Sequence, residues 1–328
     1  MRTAHTPVIL EDGTAQVPYN GSQKISRQMS ITEITARLVK HGCQDLTNQL
    51  DQATFGQFPI ANGGFSDVYR GHLRNGGQQV AIKLLRVNAQ SLSQNPKHLK
   101  HATRELHTWS KCNHPNVLRL FGLAIFRDRI GMVSPWMSEG GLPQYLQRVP
   151  SANKCHICVQ ITSGLAYMHG IGSAHGDVKG SNVLVSSAGV PALTDFGNSH
   201  LQERTLGFTQ STSGGAMTLR WSAPEVIKDS CTCDKAADVY ALGMTVLEVL
   251  TGEQPYYYIR SEAGVMLRVV HNKEHPLRPE AIPNNSRDGN RLWDLLVTCW
   301  AYEPKARPSG QVVFHTLTNI TPQDLMGW

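Results

Sequence analysis

The run ADVYALGMTVLEVLTG, residues 237–252, constrains the fold more than any other stretch of the chain. Its residues are apolar nearly all the way round a helix, so no face can be given to water and the helix must sit inside a larger body. The run falls short of the roughly 20 apolar residues a membrane helix needs, so burial in protein is the reading. Other helical patterns surround it in the sequence: LPQYLQRV, ICVQITSGLAYMHG, LWDLLVTCWAYE and QVVFHTLTNI. From about residue 141 onward the chain therefore reads as a mainly helical body with the 237–252 helix inside it.

The region before it has a different texture. FPIANGGFSDVYRGHL and QQVAIKLLRV read as strands flanking Asn75-Gly76-Gly77, a strong hairpin signal because glycine takes positive φ freely. A small sheet-rich part followed by a larger helical part makes an α+β plan with two lobes. The small lobe is expected over 55–137, the large lobe over 138–320, and a short tail over 321–328. Residues 1–54 are set apart as an N-terminal extension. Positions 1–28 are rich in Thr, Gln, Ser, Gly and Pro with little periodicity, which predicts disorder. Ile31, Ile34, Leu38, Leu46 and Leu50 recur at a spacing that predicts an amphipathic helix over 31–50, broken near His41-Gly42.

Charge and cysteine usage narrow the setting. The formal charge is +6, but no dense Lys/Arg block of the kind that binds nucleic acid appears. The seven cysteines are scattered in a chain too long to need stapling, which points to a reducing, cytoplasmic compartment. Cys155-His156-Ile157-Cys158 has a zinc-like look, yet its helix needs Cys158 on the apolar face with Ile161, Leu165 and Met168. Cys231-Thr-Cys233 is spaced too tightly for a zinc pair and has no second pair fitted to it.

The chemistry gathers in short motifs. Ala61 through Val68 form a glycine-bearing turn between two strands, where Gly63 and Gly64 let backbone N–H groups approach a phosphate. Lys83 shares a strand face with Ala81 and Leu85. Glu105 stands on the apolar stripe Leu99, Ala102, Leu106, Trp109 of a helix opened by Asn95-Pro96. A carboxylate aimed at a core is costly unless paired, and Lys83 is its natural partner. The loop HGDVKGSN, 175–182, places Asp177, Lys179 and Asn182 together. A predicted hairpin through 183–194 returns Asp195 of Asp-Phe-Gly to the same loop. Oxygens from Asn182 and Asp195 suit Mg²⁺, which accepts only a few protein ligands. Asp177 can then hold a hydroxyl for attack while Lys179 neutralises a transferring phosphoryl group.

The ordered set resembles a eukaryotic protein kinase over roughly residues 55–320. It consists of the glycine turn, VAIK (80–83), RELHTW (104–109), HPNVLRLFG (114–122), HGDVKGSN, DFG (195–197), WSAPE (221–225), ADVYALGM (237–244) and RPS (307–309). SPWMSEGGL and TLRWSAPE resemble the tyrosine-kinase-like group, whose members act on serine and threonine. The resemblance implies ATP and Mg²⁺ as cofactors, Ser/Thr-bearing protein substrates, and a signalling partner held through residues 1–54.

It also implies residue roles. Val68, Ala81 and Leu184 sandwich the adenine, Ser134 is the gatekeeper, and the backbone of Pro135 and Met137 makes the hinge bonds. Lys83, positioned by Glu105, holds the α and β phosphates. Asp177 takes the substrate proton, Lys179 contacts the γ phosphate, and Asn182 and Asp195 bind Mg²⁺. Arg307 pairs with Glu225, and Asp238 anchors the catalytic loop.

Three departures stand out. Ala61 and Ser66 replace the first and third glycines of the turn, leaving Gly63. Gly176 replaces an arginine that in many kinases binds phosphate on the activation segment, although Ser199, Thr205, Thr209, Ser211, Thr212 and Ser213 are present there. Activity independent of phosphate docking at this loop is expected. The alternative is a pseudokinase, an ATP-binding scaffold that transfers nothing. The turn substitutions favour it, and intact Lys83, Glu105, Asp177, Asn182 and Asp195 oppose it.

Overall fold

The computed structural model describes residues 33, 35, 36, 39, 43–62, 66–74, 76–85, 106, 108–201, 219–229 and 234–320. Expectations for 1–28, for Gly63 and Gly64, for Glu105 and for the 205–213 hydroxyls lie outside these residues.

The small lobe is a twisted antiparallel sheet. Strands β1 (Leu50–Asp51), β2 (Ala61–Asn62), β3 (Ser66–Leu73), β4 (Gln79–Leu85), β5 (Gly122–Phe126) and β6 (Arg129–Pro135) pair in the order β1-β3-β4-β6-β5, with β2 on β3. The β3–β4 hairpin turns where its sequence indicated, with Gly76 at φ 83° and Gly77 at φ 64°. One sheet face buries Tyr69, Val80, Ile82, Leu84, Ala124, Phe126 and Val133. The other carries Val68, Ala81 and Lys83 toward the cleft, as the period of two requires.

The outer face is closed by the segment 43–55. Residue 44 accepts from the N–H of Leu123 at 2.8 Å, and Leu46 donates to the Leu123 carbonyl at 2.7 Å, along one sheet edge. The chain then crosses the face, and Leu50 and Asp51 pair with Leu73 and His72 at the other edge. Leu46, Leu50 and Phe55 are buried beneath it. A boundary at 55 therefore cuts through the lobe, and no helix runs on to residue 50. Glu33, Thr35, Ala36 and Val39 are helical, but 47–49 form a single 3₁₀ turn. The spacing of Leu46 and Leu50 imitates a helix because that turn also returns two side chains to one side.

Leu50 is fully buried, so Leu50→Ala is expected to cost about 2–5 kcal/mol by the usual range for such truncations. Denaturant melts of the full chain measure it. A loss below about 1 kcal/mol would show that this strap, residues 43–55, adds no stability.

The large lobe is mainly helical: α1 (Leu142–Arg148), α2 (Lys154–Gly170), α3 (Pro224–Asp229), α4 (Lys235–Thr251), α5 (Glu262–Met266), α6 (Arg287–Cys299) and α7 (Gly310–Thr318). The apolar run read first from the sequence is α4. It starts at Asp234, whose side chain caps the Ala237 N–H, and stops at Gly252 in the left-handed conformation. Val239, Tyr240, Leu242, Met244, Val246 and Val249 are all buried. Cys158 is likewise a core side chain, 2 % exposed. Of the short strands, β7 (Gly140–Gly141), β9 (Val183–Val185) and β10 (Pro191–Leu193) form one sheet in the order β10-β9-β7, and β8 (Ser173–Ala174) pairs with β11 (His200–Leu201).

Candidate active site

The loop 175–182 is held from below by one buried carboxylate. Asp238, near the start of α4 and 1 % exposed, accepts from the N–H of His175 at 2.7 Å and of Gly176 at 2.8 Å, and from His169 Nε2 at 2.9 Å. The anchoring position expected of Asp238 is thus occupied. Gly176 has φ 83°, a conformation costly for most side chains, which supplies a backbone reason for glycine there beside the missing cation. His175 is fully buried. Its Nδ1 accepts from the Asp177 N–H at 3.2 Å, so Nε2 carries the proton donated to the Thr194 carbonyl at 3.0 Å.

With the loop so fixed, its polar groups converge. Lys179 Nζ lies 2.8 Å from Asp177 Oδ2. The Asn182 side-chain amide donates to Asp177 Oδ2 and to the Asp177 carbonyl, both at 2.8 Å. Because its nitrogen is turned to Asp177, the Asn182 oxygen is directed elsewhere.

The β9–β10 hairpin returns the chain as anticipated, with Leu184 opposite Ala192. Phe196 is then buried against Trp109 at 5.5 Å and His175 at 5.6 Å between ring centroids. Asp195 sits at φ 67°, ψ 68°, a left-handed conformation for a non-glycine residue. Its Oδ1 meets Lys83 Nζ at 3.0 Å, spanning the two lobes. Burial pushes the Asp195 carboxyl up. The charge and hydrogen bond of Lys83, helped by His175 and Lys179, more than offset this, and its pKa lies below the ordinary value.

Across the cleft, Ala61 pairs with Val68, Ala81 with Ser134 and Val80 with Pro135. Ser134 and Met137 are buried, and Leu184 lies in β9 paired with Gly141 on one side and Ala192 on the other. Ser66 is also buried, within β3 opposite Leu85, so its hydroxyl is part of the strand's packed end. Ser199 is fully buried, and its hydroxyl donates to the His175 carbonyl at 2.9 Å. It is a strut of the loop, not an exposed acceptor of phosphate, and leaves the set of activation-segment candidates. His169 and Thr194 had no signal in the sequence, because their partners lie 69 and 19 residues away.

Asn182 and Asp195 offer hard oxygen donors, one amide and one carboxylate, and the Thr194 N–H bonded to the Asn182 carbonyl at 2.9 Å brings their two stretches side by side. That donor chemistry fits a hydrated Mg²⁺.

The described residues thus combine a two-lobed fold, a lysine-bridged aspartate and a loop bearing Asp, Lys and Asn. Residues 57–317 match the family described as protein tyrosine and serine/threonine kinase. The cytokinesis protein sepH of Emericella nidulans is 30 % identical over 256 residues, covering 77 % of this chain and 18 % of that protein. Mitogen-activated protein kinase kinase kinase 2 of Arabidopsis thaliana is 29 % identical, covering 76 % of this chain and 38 % of that one. Serine/threonine-protein kinase STY17, also of Arabidopsis thaliana, is 28 % identical over 80 % and 43 %. The chain belongs to the eukaryotic protein kinase family. It spans less than half the length of each of these three relatives. No helix among the described residues is long and apolar enough to cross a membrane.

Proposed function

We propose that this protein serine/threonine kinase domain transfers the γ-phosphoryl group of ATP to serine and threonine hydroxyls of other proteins, in intracellular signalling. The observation that supports this most directly is the convergence on one loop of Asp177, Lys179 and Asn182, facing the Lys83–Asp195 pair. In this reading Asp177 orients the incoming hydroxyl and accepts its proton, and Lys179 offsets charge on the transferring group. Lys83 holds the remaining phosphates, positioned by Glu105. Val68, Ala81 and Leu184 close on the adenine, with Ser134 as gatekeeper and the Pro135 and Met137 backbone as hinge. Asn182 and Asp195 would hold Mg²⁺, which supplies charge neutralisation at the phosphates. The protein's own contribution is positioning and electrostatics.

Gly176 offers no cation to a segment phosphate, so activity is proposed not to depend on one. Loss of activity both on phosphatase treatment and on alanine substitution of Thr205, Thr209, Ser211, Thr212 and Ser213 would overturn that. Because 43–55 are built into the sheet, the partner-binding role proposed for 1–54 narrows to positions before 43.

The second reading, an ATP-binding scaffold, draws on Ala61 and Ser66 in place of glycines. Incubation of the full chain with Mg²⁺-ATP and casein, followed by mass spectrometric mapping, separates the two. Transfer to Ser or Thr that falls at least about 100-fold in Lys83→Met supports the kinase. ATP binding by thermal shift with no transfer from the unaltered chain supports the scaffold.

A further inference from the structure

We infer that Arg127 and Arg129, at the tip of the β5–β6 hairpin, are positioning residues that brace β2 and the start of β3, the arms carrying Ala61 and Val68 over the nucleotide. The inference rests on the ATP-dependent activity proposed above. Phe126 pairs with Arg129, so Arg127 and Asp128 by themselves make the turn. Both take positive φ, 51° and 57°. A two-residue hairpin needs that conformation, and Asn-Gly ordinarily supplies it. Here an arginine and an aspartate are held in it, an outlier that asks for a functional reason. The turn directs one arginine to each arm. Arg129 Nη1 meets Asp67 Oδ2 at 3.0 Å, with both side chains mostly shielded from water. Asp67 stands in β3 between Ser66 and Val68 and pairs with Asn62 of β2. Arg127 donates to the carbonyls of Gln57 at 2.8 Å and Gly56 at 2.7 Å, where the chain leaves the strap. Its guanidinium also lies 4.6 Å from the Tyr69 ring centroid and 4.9 Å from that of Phe126, which fixes its place.

The two arms need holding from outside. Strand β2 is two residues long, and the Ile60 N–H extends its pairing by one bond, donating to the Val68 carbonyl at 2.8 Å. So short a strand is weakly ordered by its own ladder, and its place depends on what fixes the chain to either side. Phe58, Pro59 and Ile60 separate the Gln57 carbonyl from β2, and Pro59 stiffens that link. Side chains alternate along β3, so Val68 faces the cleft while Asp67 and Tyr69 face away from it. The arginines therefore grip from the outer face and leave the cleft face clear. Ala61 and Ser66, standing where glycines were expected, restrict the backbone of the same arms from within. Without the brace, Ala61 and Val68 would lose their fixed position against the adenine, whereas the 175–182 loop would be untouched. The signature of such a loss is a raised KM for ATP with kcat preserved.

A charge-reversal cycle on the full chain tests the brace. Asp67→Arg and Arg129→Asp each set like charges together and are expected to raise the KM for ATP about 3- to 10-fold, with kcat on casein within about twofold. The double variant D67R/R129D restores an opposite pair and should recover most of the loss. Amide hydrogen exchange at 60–62 and 66–68 is read in parallel and needs no activity. It should accelerate in each single variant and slow again in the double. Arg127→Met keeps apolar packing without the two donated bonds and should accelerate exchange at 60–62. Single variants that move neither readout, a double as impaired as the singles, or faster exchange with an unchanged KM overturns the inference. Unchanged exchange in Arg127→Met overturns its two-sided form. If Arg127→Met fails to fold, the charge cycle decides. An unaltered chain that transfers nothing counts against the proposed function, and the exchange experiment then decides the brace by itself.

Discussion

Asp177→Asn is expected to lower phosphoryl transfer by about 100- to 10,000-fold, the range for loss of a general base. Nucleotide binding should change little, because Asp177 sits on the 175–182 loop and not among the residues proposed to close on the adenine. The geometry carries the expectation. Asp177 Oδ2 receives both Lys179 Nζ and the Asn182 amide at 2.8 Å, so the carboxylate is held in one orientation. Asparagine keeps the shape, but its amide is no proton acceptor at the pH of the assay. Initial rates under saturating ATP measure the effect, with the thermal midpoint as a check on folding. Transfer unchanged in Asp177→Asn would remove this residue from the chemistry, and with it the main support for the kinase reading over the scaffold.

Arg307→Met is expected to destabilise the large lobe by about 3–5 kcal/mol, the cost of leaving one partner of a buried ion pair alone. The Arg307 side chain is wholly buried. It makes a two-pronged bond to Glu225 at 2.6 and 2.8 Å. It also donates to the carbonyls of Ala301 at 2.8 Å and Ala236 at 3.0 Å. Its guanidinium lies 5.1 Å over the Tyr240 ring. Methionine fills much of the space but satisfies none of these oxygens. For a domain of this size each kcal/mol shifts the midpoint by about 2–4 °C, so calorimetry should see a drop of roughly 6–20 °C. The double variant with Glu225→Met should lose less, since two apolar side chains leave no buried charge behind. A single variant within about 1 kcal/mol of the unaltered chain would show that the pair is solvated in practice.

The parts of the fold that the chain announces in advance are those set by neighbours in sequence. The hairpin at Asn75-Gly76-Gly77, the cleft-facing side of Lys83 and the return of Asp195 through β9 and β10 each follow from a short period or a turn. They were legible for that reason. The strap was misjudged because Leu46 and Leu50 are four apart, and one short turn places them on one side as a helix would. Their true partner is a sheet face assembled from residues 69 to 133. Ser199 looked like an exposed hydroxyl because nothing local shows that it donates to His175, 24 residues earlier. Gly176 looked like an omission of charge. Its φ of 83° adds a conformational reason that its composition alone could not express.

By itself, then, the order of residues determined the motifs from which the site is proposed and the strand or loop on which the described ones stand. The tertiary structure alone decided how they are held. Asp238 and Glu248 on α4 reach the loop from more than 60 residues away. Asp195 meets Lys83 across 112 residues. Hydrogen bonds form between atoms that are near in space, and a carboxylate's partners are chosen by the packing that buries it. Sequence spacing records that packing only within a turn or a strand.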